Sequence, residues 1–558
     1  MSDSIVNIQK LRIAAQTESG ETSILVDGID LFLSRGEVLG LIGESGAGKS
    51  TLGLAALGYT RPGCIMVNGV VMLGDENLRT VTANRKAQLR GARIAYVSQS
   101  AAASFNPVKT IMWQVCEAPV RHGLLSEADA RRRAVQLFAE LDLPEPEKFG
   151  NRYPHQVSGG QLQRAMTAMA MSCQPDVLVL DEPTTALDVT TQIDVLFAIR
   201  NLIRSHRTAG LYISHDLAVV AQIADRIMVL RHGRLVEQGT TSHILREPKE
   251  DYTRRLVSTR AVLSPSKRER VDQPQANPLL EVENVSVAYG QNRAVDGVSL
   301  ELYRGETVAI VGESGSGKST LARAICGAHA AGAGRIRLDK QTLKPSYASR
   351  PRETLRRVQM IYQMPDVALN PQQTVGAIIG RPIEFYFNPS PGEVRERVNE
   401  LLRMIDLPTS FASRLSVELS GGQKQRVCIA RALAARPDII ICDEVTSSLD
   451  QLVAEEILQL LEKLQRETNV AYLFITHDLT LVRRLAHRVV VMLKGKVVAH
   501  GTLAEVFAPP KLPYTELLLS SMPQMRINWL EEVMARRKAG LPPDMAAFET
   551  FADRGAGR

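Results

Sequence analysis

Two octapeptides carry the residue types needed to hold a polyphosphate. Gly43–Ser50 and Gly312–Ser319 both read G-x-x-x-x-G-K-S, each after a short apolar run and before a helical pattern. In the first loop Gly43, Gly46 and Gly48 flank Ser45; in the second Gly312, Gly315 and Gly317 flank Ser314. Such glycines let backbone N–H groups close around a β-phosphate, and the helix start behind them adds positive partial charge. Lys49 and Lys318 are expected to reach the β- and γ-phosphates, Ser50 and Ser319 to ligate Mg²⁺, and Thr51 and Thr320 to contact the α-phosphate. Asp181 and Asp443 each end an apolar run, where a carboxylate facing the loop holds the Mg²⁺ shell. Glu182 and Glu444 follow at once. A second carboxylate beside a metal-bound triphosphate suits a general base that polarises the attacking water. His215 and His477, within SHD and THD, are expected to touch the γ-phosphate and keep that water in line. Gln99 and Gln363 follow IAYVS and VQMIY; a neutral amide there can touch Mg²⁺ or water without adding charge. Ser158, Gly159, Gly160 and Gln161 open one helical pattern, and Ser420, Gly421, Gly422 and Gln423 open another. They read as helix caps or as anion donors. Each unit already has a complete phosphate loop, so a second anion-binding terminus is explained if each unit completes the other's site.

These pieces recur in one order. Gly36 and Gly305, which open the two phosphate-loop segments, are 269 residues apart, and the later motifs repeat at an offset of 262. The 558 residues are therefore one unit of about 260 used twice. SPSKRERVDQPQAN (264–277) is polar, charged and Pro-containing, and reads as a linker. VLGLIG, VLVLDE and GLYISH read as buried parallel strands, while DARRRAVQLFAELDL and GGQLQRAMTAMAM have helical spacing. Strands alternating with helices predict an α/β fold. The stretches from Asn106 to Ala170 and from Asn370 to Ala434 predict a helical insertion between two strands of each sheet. After Pro523 the repeat ends, and WLEEVMARRKAGL predicts a short amphipathic helix before a polar tail.

Composition narrows the class. Forty-four per cent hydrophobic and 23% charged residues exclude a disordered or collagen-like chain. No apolar run reaches 18 residues, and Met1–Lys10 has no leader pattern, so neither a membrane span nor a signal peptide is expected. Cys64, Cys116, Cys173, Cys326, Cys428 and Cys442 fall singly, which predicts reduced thiols in the cytoplasm. A net charge of +7 is a mixed solvated surface.

Taken together, the motifs resemble those of ATP-binding cassette (ABC) ATPases, over about residues 5–260 and 278–520. GESGAGKST and GESGSGKST look like Walker A, VLVLDE and IIICDE like Walker B with its catalytic glutamate, and SGGQ like the family signature. Gln99 and Gln363 resemble the Q-loop, Asp188 and Asp450 the D-loop, and His215 and His477 the switch histidine. The resemblance implies two nucleotide-binding domains, 1–260 and 278–522, joined by a linker (261–277) and followed by a C-terminal extension (523–558). Each would be a RecA-like α/β core with a small antiparallel β subdomain and an inserted helical subdomain. ATP and Mg²⁺ would be the cofactors, with ATP between Walker A of one half and the signature of the other.

A narrower resemblance is to the oligopeptide/dipeptide/nickel importer subfamily, carried by SFNP (104–107), ALNP (368–371), YPHQVSGGQLQR, DYTRRLV and PYTELLL. Its ATPases are usually two chains; here they are fused. This implies an energy-coupling subunit, peripheral on the cytoplasmic face of the inner membrane. Its partners would be two transmembrane permease subunits, received near Phe105 and Leu369, and an extracytoplasmic substrate-binding protein. Peptides are the subfamily's commonest cargo, and no nucleic acid is expected. The alternative is a soluble tandem ATPase acting on ribosomes or DNA. Those usually have a long charged helical linker and an E-R-N-R-like sequence after the signature, where this chain has QLQR and QKQR. Three departures from the family stand out. Ala15 lies opposite Tyr289, where the family stacks an aromatic on adenine, so the first site is expected to bind nucleotide more weakly or to borrow a neighbouring side chain. Val445 replaces the proline seen as Pro183. No cysteine follows Cys442, so no iron–sulfur cluster is expected.

Overall fold

The computed structural model describes residues 4–16, 22–185, 187–261, 277–447, 449–508 and 511–540. Most of the expected linker (262–276) and residues 541–558 of the C-terminal extension lie outside the described residues. The chain divides into two compact units, Met1–Arg260 with Pro523–Pro543, and Ala261–Met522 with Asp544–Arg558.

In the first unit, β1 (Ser4–Gln16), β2 (Thr22–Ser34), β4 (Cys64–Leu73) and β5 (Glu76–Asn77) form an antiparallel sheet ordered β2-β1-β4-β5. The core sheet holds β3 (Val38–Ile42), β6 (Ile94–Val97), β7 (Val177–Asp181), β8 (Ala209–Ile213), β9 (Arg226–Arg231) and β10 (Arg234–Thr240), ordered β10-β9-β3-β8-β7-β6. Its pairs are parallel except the β9–β10 edge. VLGLI, VLVLD and AGLYI are buried at every residue, as continuous apolar strands inside an α/β sheet must be. The core is α/β, as the alternating strands and helices predicted, with a separate antiparallel sheet, as the family resemblance implied.

Between β6 and β7 come helices Ile111–Arg121, Glu127–Glu140 and Gly159–Met171. Thr110, Ser126 and Ser158 cap them, each side chain accepting a backbone N–H three residues on. Phe138 and Phe149 meet edge-on at 5.3 Å inside this insertion.

The second unit repeats the plan. β11 (Leu280–Tyr289), β12 (Asn292–Leu302), β14 (Ala333–Leu338) and β15 (Gln341–Thr342) form the antiparallel sheet. β13 (Thr307–Val311), β16 (Val358–Ile361), β17 (Ile439–Asp443), β18 (Ala471–Ile475), β19 (Arg488–Leu493) and β20 (Lys496–Thr502) form the core, ordered β16-β17-β18-β13-β19-β20.

Past Met522 the chain returns to the first unit. Helix Trp529–Lys538 has Glu531 and Glu532 in its first turn and Arg536, Arg537 and Lys538 in its last, which suits the helix dipole. Trp529 and Leu530 are fully buried there. The Gln222 amide donates to the carbonyls of Gln524 (2.6 Å) and Arg526 (3.2 Å), and its oxygen accepts from the Leu530 N–H at 3.2 Å. Glu531 pairs with the buried Arg200 at 2.5 Å, and Arg537 with Asp194 at 3.0 Å. One repeat later, the place of Gln222 is taken by Arg484, which pairs with Glu455 and Glu462 of its own unit.

Candidate active sites

The parallel order puts the chemistry at one end of each core sheet. The phosphate loop follows β3, Gln99 follows β6, Asp181 ends β7 and His215 follows β8, so neighbouring strands deliver them to their carboxyl ends. The second unit does the same with β13, β16, β17 and β18.

Each loop runs directly into a helix, Lys49–Ala56 or Lys318–Cys326. Gly48 (φ 91°) and Gly317 (φ 100°) make the turn into it. A Cβ at these positions would stand 2.6 Å from the Leu25 carbonyl oxygen and 2.2 Å from that of Ala294, so only glycine fits. Lys49 Nζ donates to the carbonyls of Gly43 (2.8 Å) and Glu44 (2.9 Å); Lys318 Nζ donates to those of Gly312 (2.8 Å) and Glu313 (2.7 Å).

Ser50 Oγ donates to Asp181 Oδ1 at 2.9 Å, and Ser319 Oγ to Asp443 Oδ1 at 3.0 Å. Both aspartates are buried, and burial pushes their carboxyls up against the pull of those serines. A hydroxyl and a buried carboxylate side by side are hard oxygen donors of the kind Mg²⁺ takes alongside phosphate oxygens. Among the described residues no cluster of three or more His, Cys, Asp or Glu forms an all-protein metal cage. The donor set therefore fits a cation shared with a bound phosphate.

Glu182 and Glu444 stand next to these aspartates with φ of 49° and 50°, a strained conformation for a non-glycine residue, repeated in both units. His215 Nδ1 lies 3.0 Å from Glu182 Oε1, and His477 Nδ1 lies 3.3 Å from Glu444 Oε1. Gln99 Nε2 donates to Glu182 Oε2 at 3.2 Å, and Gln363 Nε2 to Glu444 Oε2 at 2.7 Å. The two amides expected beside Mg²⁺ thus rest on the glutamates. Burial alone would raise the Glu182 carboxyl. Its bond to His215 and the positive charges of His215 and Lys49 outweigh that and hold it below the usual range. Burial alone would lower the His215 imidazole, and Glu182 outweighs that too, so the histidine is raised. Glu444 and His477 shift in the same directions for the same reasons.

The signature serines are helix caps in the structure. Ser158 Oγ accepts from the Gln161 N–H, while Gln161 Oε1 accepts from the Ser158 N–H; Ser420 and Gln423 repeat this box. Asp188 caps the helix Val189–His206 through the Thr191 N–H at 2.9 Å, and Asp450 caps Gln451–Thr468 through the Val453 N–H at 3.1 Å.

Strand register places Ala15 where the motif alignment did. Ala15 pairs with Ser23 two residues after the Ile13–Val26 pair, and Tyr289 pairs with Asn292 two residues after Val287–Val295. Tyr289 is exposed and lies 4.5 Å from the His329 ring.

Three residues escaped sequence reasoning. Tyr96 OH donates to Asp181 Oδ2 at 2.8 Å, and the matching position of β16 is Met360. The hydroxyls of Tyr252 and Tyr514 accept the N–H groups of Glu44 (3.2 Å) and Glu313 (3.0 Å), inside the phosphate loops. The one available signal for the last two was the recurrence of DYT and PYT a full repeat apart. Phe105 and Leu369, near which permease-receiving surfaces are expected, are themselves core residues at 4% and 3% exposure. The exposed apolar residues beside them are Val108 and Val367, at 73% and 79%.

The ABC transporter family model matches residues 26–185 and 295–447. A second model, described as the oligopeptide/dipeptide transporter C-terminal region, matches 236–287 and 500–554. The chain is 36% identical to the glutathione import ATP-binding protein GsiA of Salmonella choleraesuis (strain SC-B67), over 94% of this chain and 90% of that protein. It is also 36% identical to GsiA of Escherichia coli (strain K12), over 93% and 89%. Among solved structures, cbiO1 from Clostridium perfringens covers 42% of this chain and 92% of its own at 30% identity, with a TM-score of 0.39.

Proposed function

Because the chain belongs to the ABC transporter family, we propose that it is the ATP-hydrolysing subunit of an importer of small peptides and peptide-like solutes. The observation that carries this is the duplication of a whole hydrolytic set. Each unit has its own lysine-bearing loop, Ser–Asp pair and Glu–His–Gln cluster. The peptide cargo is supported by the C-terminal region matched in both halves and by relatives named for import of glutathione, itself a tripeptide. No observation favours action on ribosomes or DNA.

In this reading Lys49 and Lys318 turn from loop carbonyls to the phosphates of ATP. Ser50 with Asp181, and Ser319 with Asp443, hold Mg²⁺, which when bound neutralises phosphate charge. A γ-phosphate draws His215 or His477 off its glutamate and frees that carboxylate to take a proton from water. Two permease subunits receive the work at the cytoplasmic face of the inner membrane, and a substrate-binding protein delivers cargo from outside. The surfaces that suit the permeases are the one around Val108, Trp113 and Leu124, with a groove of about 330 Å³ between Trp113 and Arg131, and the one around Met364 and Val367.

Glu182→Gln together with Glu444→Gln is expected to retain ATP while hydrolysis falls by about a hundredfold or more. Undiminished steady-state hydrolysis would reject both glutamates as bases. Uptake of labelled di- and tripeptides into vesicles carrying the assembled transporter tests the cargo; import confined to non-peptide solutes would reject it.

A further inference from the structure

We infer that Tyr252 and Tyr514 are positioning residues of the two phosphate loops, latching each loop to the end of its own cassette. This rests on the reading of those loops as ATP sites. Tyr252 lies on helix Asp251–Ala261 and Tyr514 on helix Pro513–Ser520. They stand 208 and 201 residues from the loop residues they bind.

What they bind decides what they do. The Glu44 N–H is accepted by Tyr252, while the Glu44 carbonyl is held by Lys49. Glu313 is held in the same two ways by Tyr514 and Lys318. In each loop one residue is thus gripped at both its donor and its acceptor. One grip comes from the loop's own helix and the other from the far end of the unit. The lysine is the group that must swing towards phosphate, and its grip on the carbonyl ends when it does. The tyrosine then still holds that residue as the loop closes on its ligand. In the first unit the ring is itself fixed, because the Arg231 guanidinium lies 4.8 Å over Tyr252 and 3.6 Å from the Glu44 carboxylate. The contact occurs twice, in independent copies. Both tyrosines fall inside the matched C-terminal region, 236–287 and 500–554. That region therefore acts on the nucleotide site of its own half.

The test uses the full chain with Tyr252→Phe, Tyr514→Phe and both together, which remove the hydroxyls and keep the rings. Without nucleotide, amide exchange at Glu44 or Glu313 is expected to quicken about tenfold, as for one lost backbone hydrogen bond. ADP affinity and KM for ATP should weaken about fivefold while kcat stays within about twofold. Tyr252→Leu, which also removes the ring, should match the exchange change and lower the unfolding midpoint further. A phenylalanine variant with wild-type exchange at Glu44 and wild-type ADP affinity overturns the latch, whatever its thermal midpoint. Should the unmodified chain fail to bind ADP, the ATP-site reading falls, and the nucleotide-free exchange measurement still decides the latch.

Discussion

At the scale of single residues, the glutamate proposed as general base is held back by its neighbours. Glu182 is engaged at once by His215, Gln99 and Thr185, so its lone pairs are occupied until something competes for those partners. The shifts of the pair fix a pH window. His215 is raised, so its share of stability is complete below the ordinary histidine value of about 6.5 and fades as pH climbs through the raised one. Glu182 is lowered, so its share is complete above about 4.5 and fades as pH drops through the lowered one. The stability difference between the wild type and His215→Ala should therefore be largest between about pH 4.5 and 6.5 and shrink on either side, as read from denaturant melts. Ala15→Tyr tests the other asymmetric position. A stacking ring contributes roughly 1 kcal/mol, so nucleotide affinity at the first site should rise about fivefold; an unchanged affinity would show that adenine lies elsewhere. These residues were legible because each sits in a short motif that occurs twice. Tyr96 was not, since its partner is 85 residues away and the second half offers Met360 instead.

At the scale of elements, the signature glycines explain themselves by packing. A Cβ on Gly160 would stand 2.1 Å from Thr191 Cγ2, and one on Gly422 would stand 2.5 Å from Val453 Cγ1. Both neighbours lie in the first turn of the helices capped by Asp188 and Asp450. The signature helix and the D-loop helix therefore touch backbone to side chain, and that closeness ties the two motifs together. Gly160→Ala should cost about 1–3 kcal/mol by overpacking and lower the unfolding midpoint by several degrees. Gly159→Ala, whose Cβ would meet Leu187 at an ordinary 3.8 Å, should leave the midpoint unchanged. Strand and helix positions followed from apolar runs and spacing, as VLVLD and GGQLQRAMTAMAM show. The burial of Phe105 and Leu369 did not, because a hydrophobic residue in an N-P turn looks the same facing in or out.

At the scale of the whole molecule, the segment after Met522 matters most. Its sequence announces an amphipathic helix, yet nothing in WLEEVMARRK names the face it covers. The clue lies at one pair of repeat positions: Arg484 is neutralised by its own unit's acids, while Gln222 has its amide spent on Gln524, Arg526 and Leu530. A chain ending at Met522 loses the buried Trp529, worth roughly 3–5 kcal/mol, and leaves Arg200 without Glu531. The first unit should then melt about 10 °C lower in calorimetry. There is also a consequence for biosynthesis. The amino-terminal cassette leaves the ribosome long before Trp529 is made, by roughly tens of seconds at ordinary elongation rates. Until then its Gln222 face waits for a cover encoded at the other end of the message, so a prematurely terminated polypeptide betrays itself in the half that was translated first.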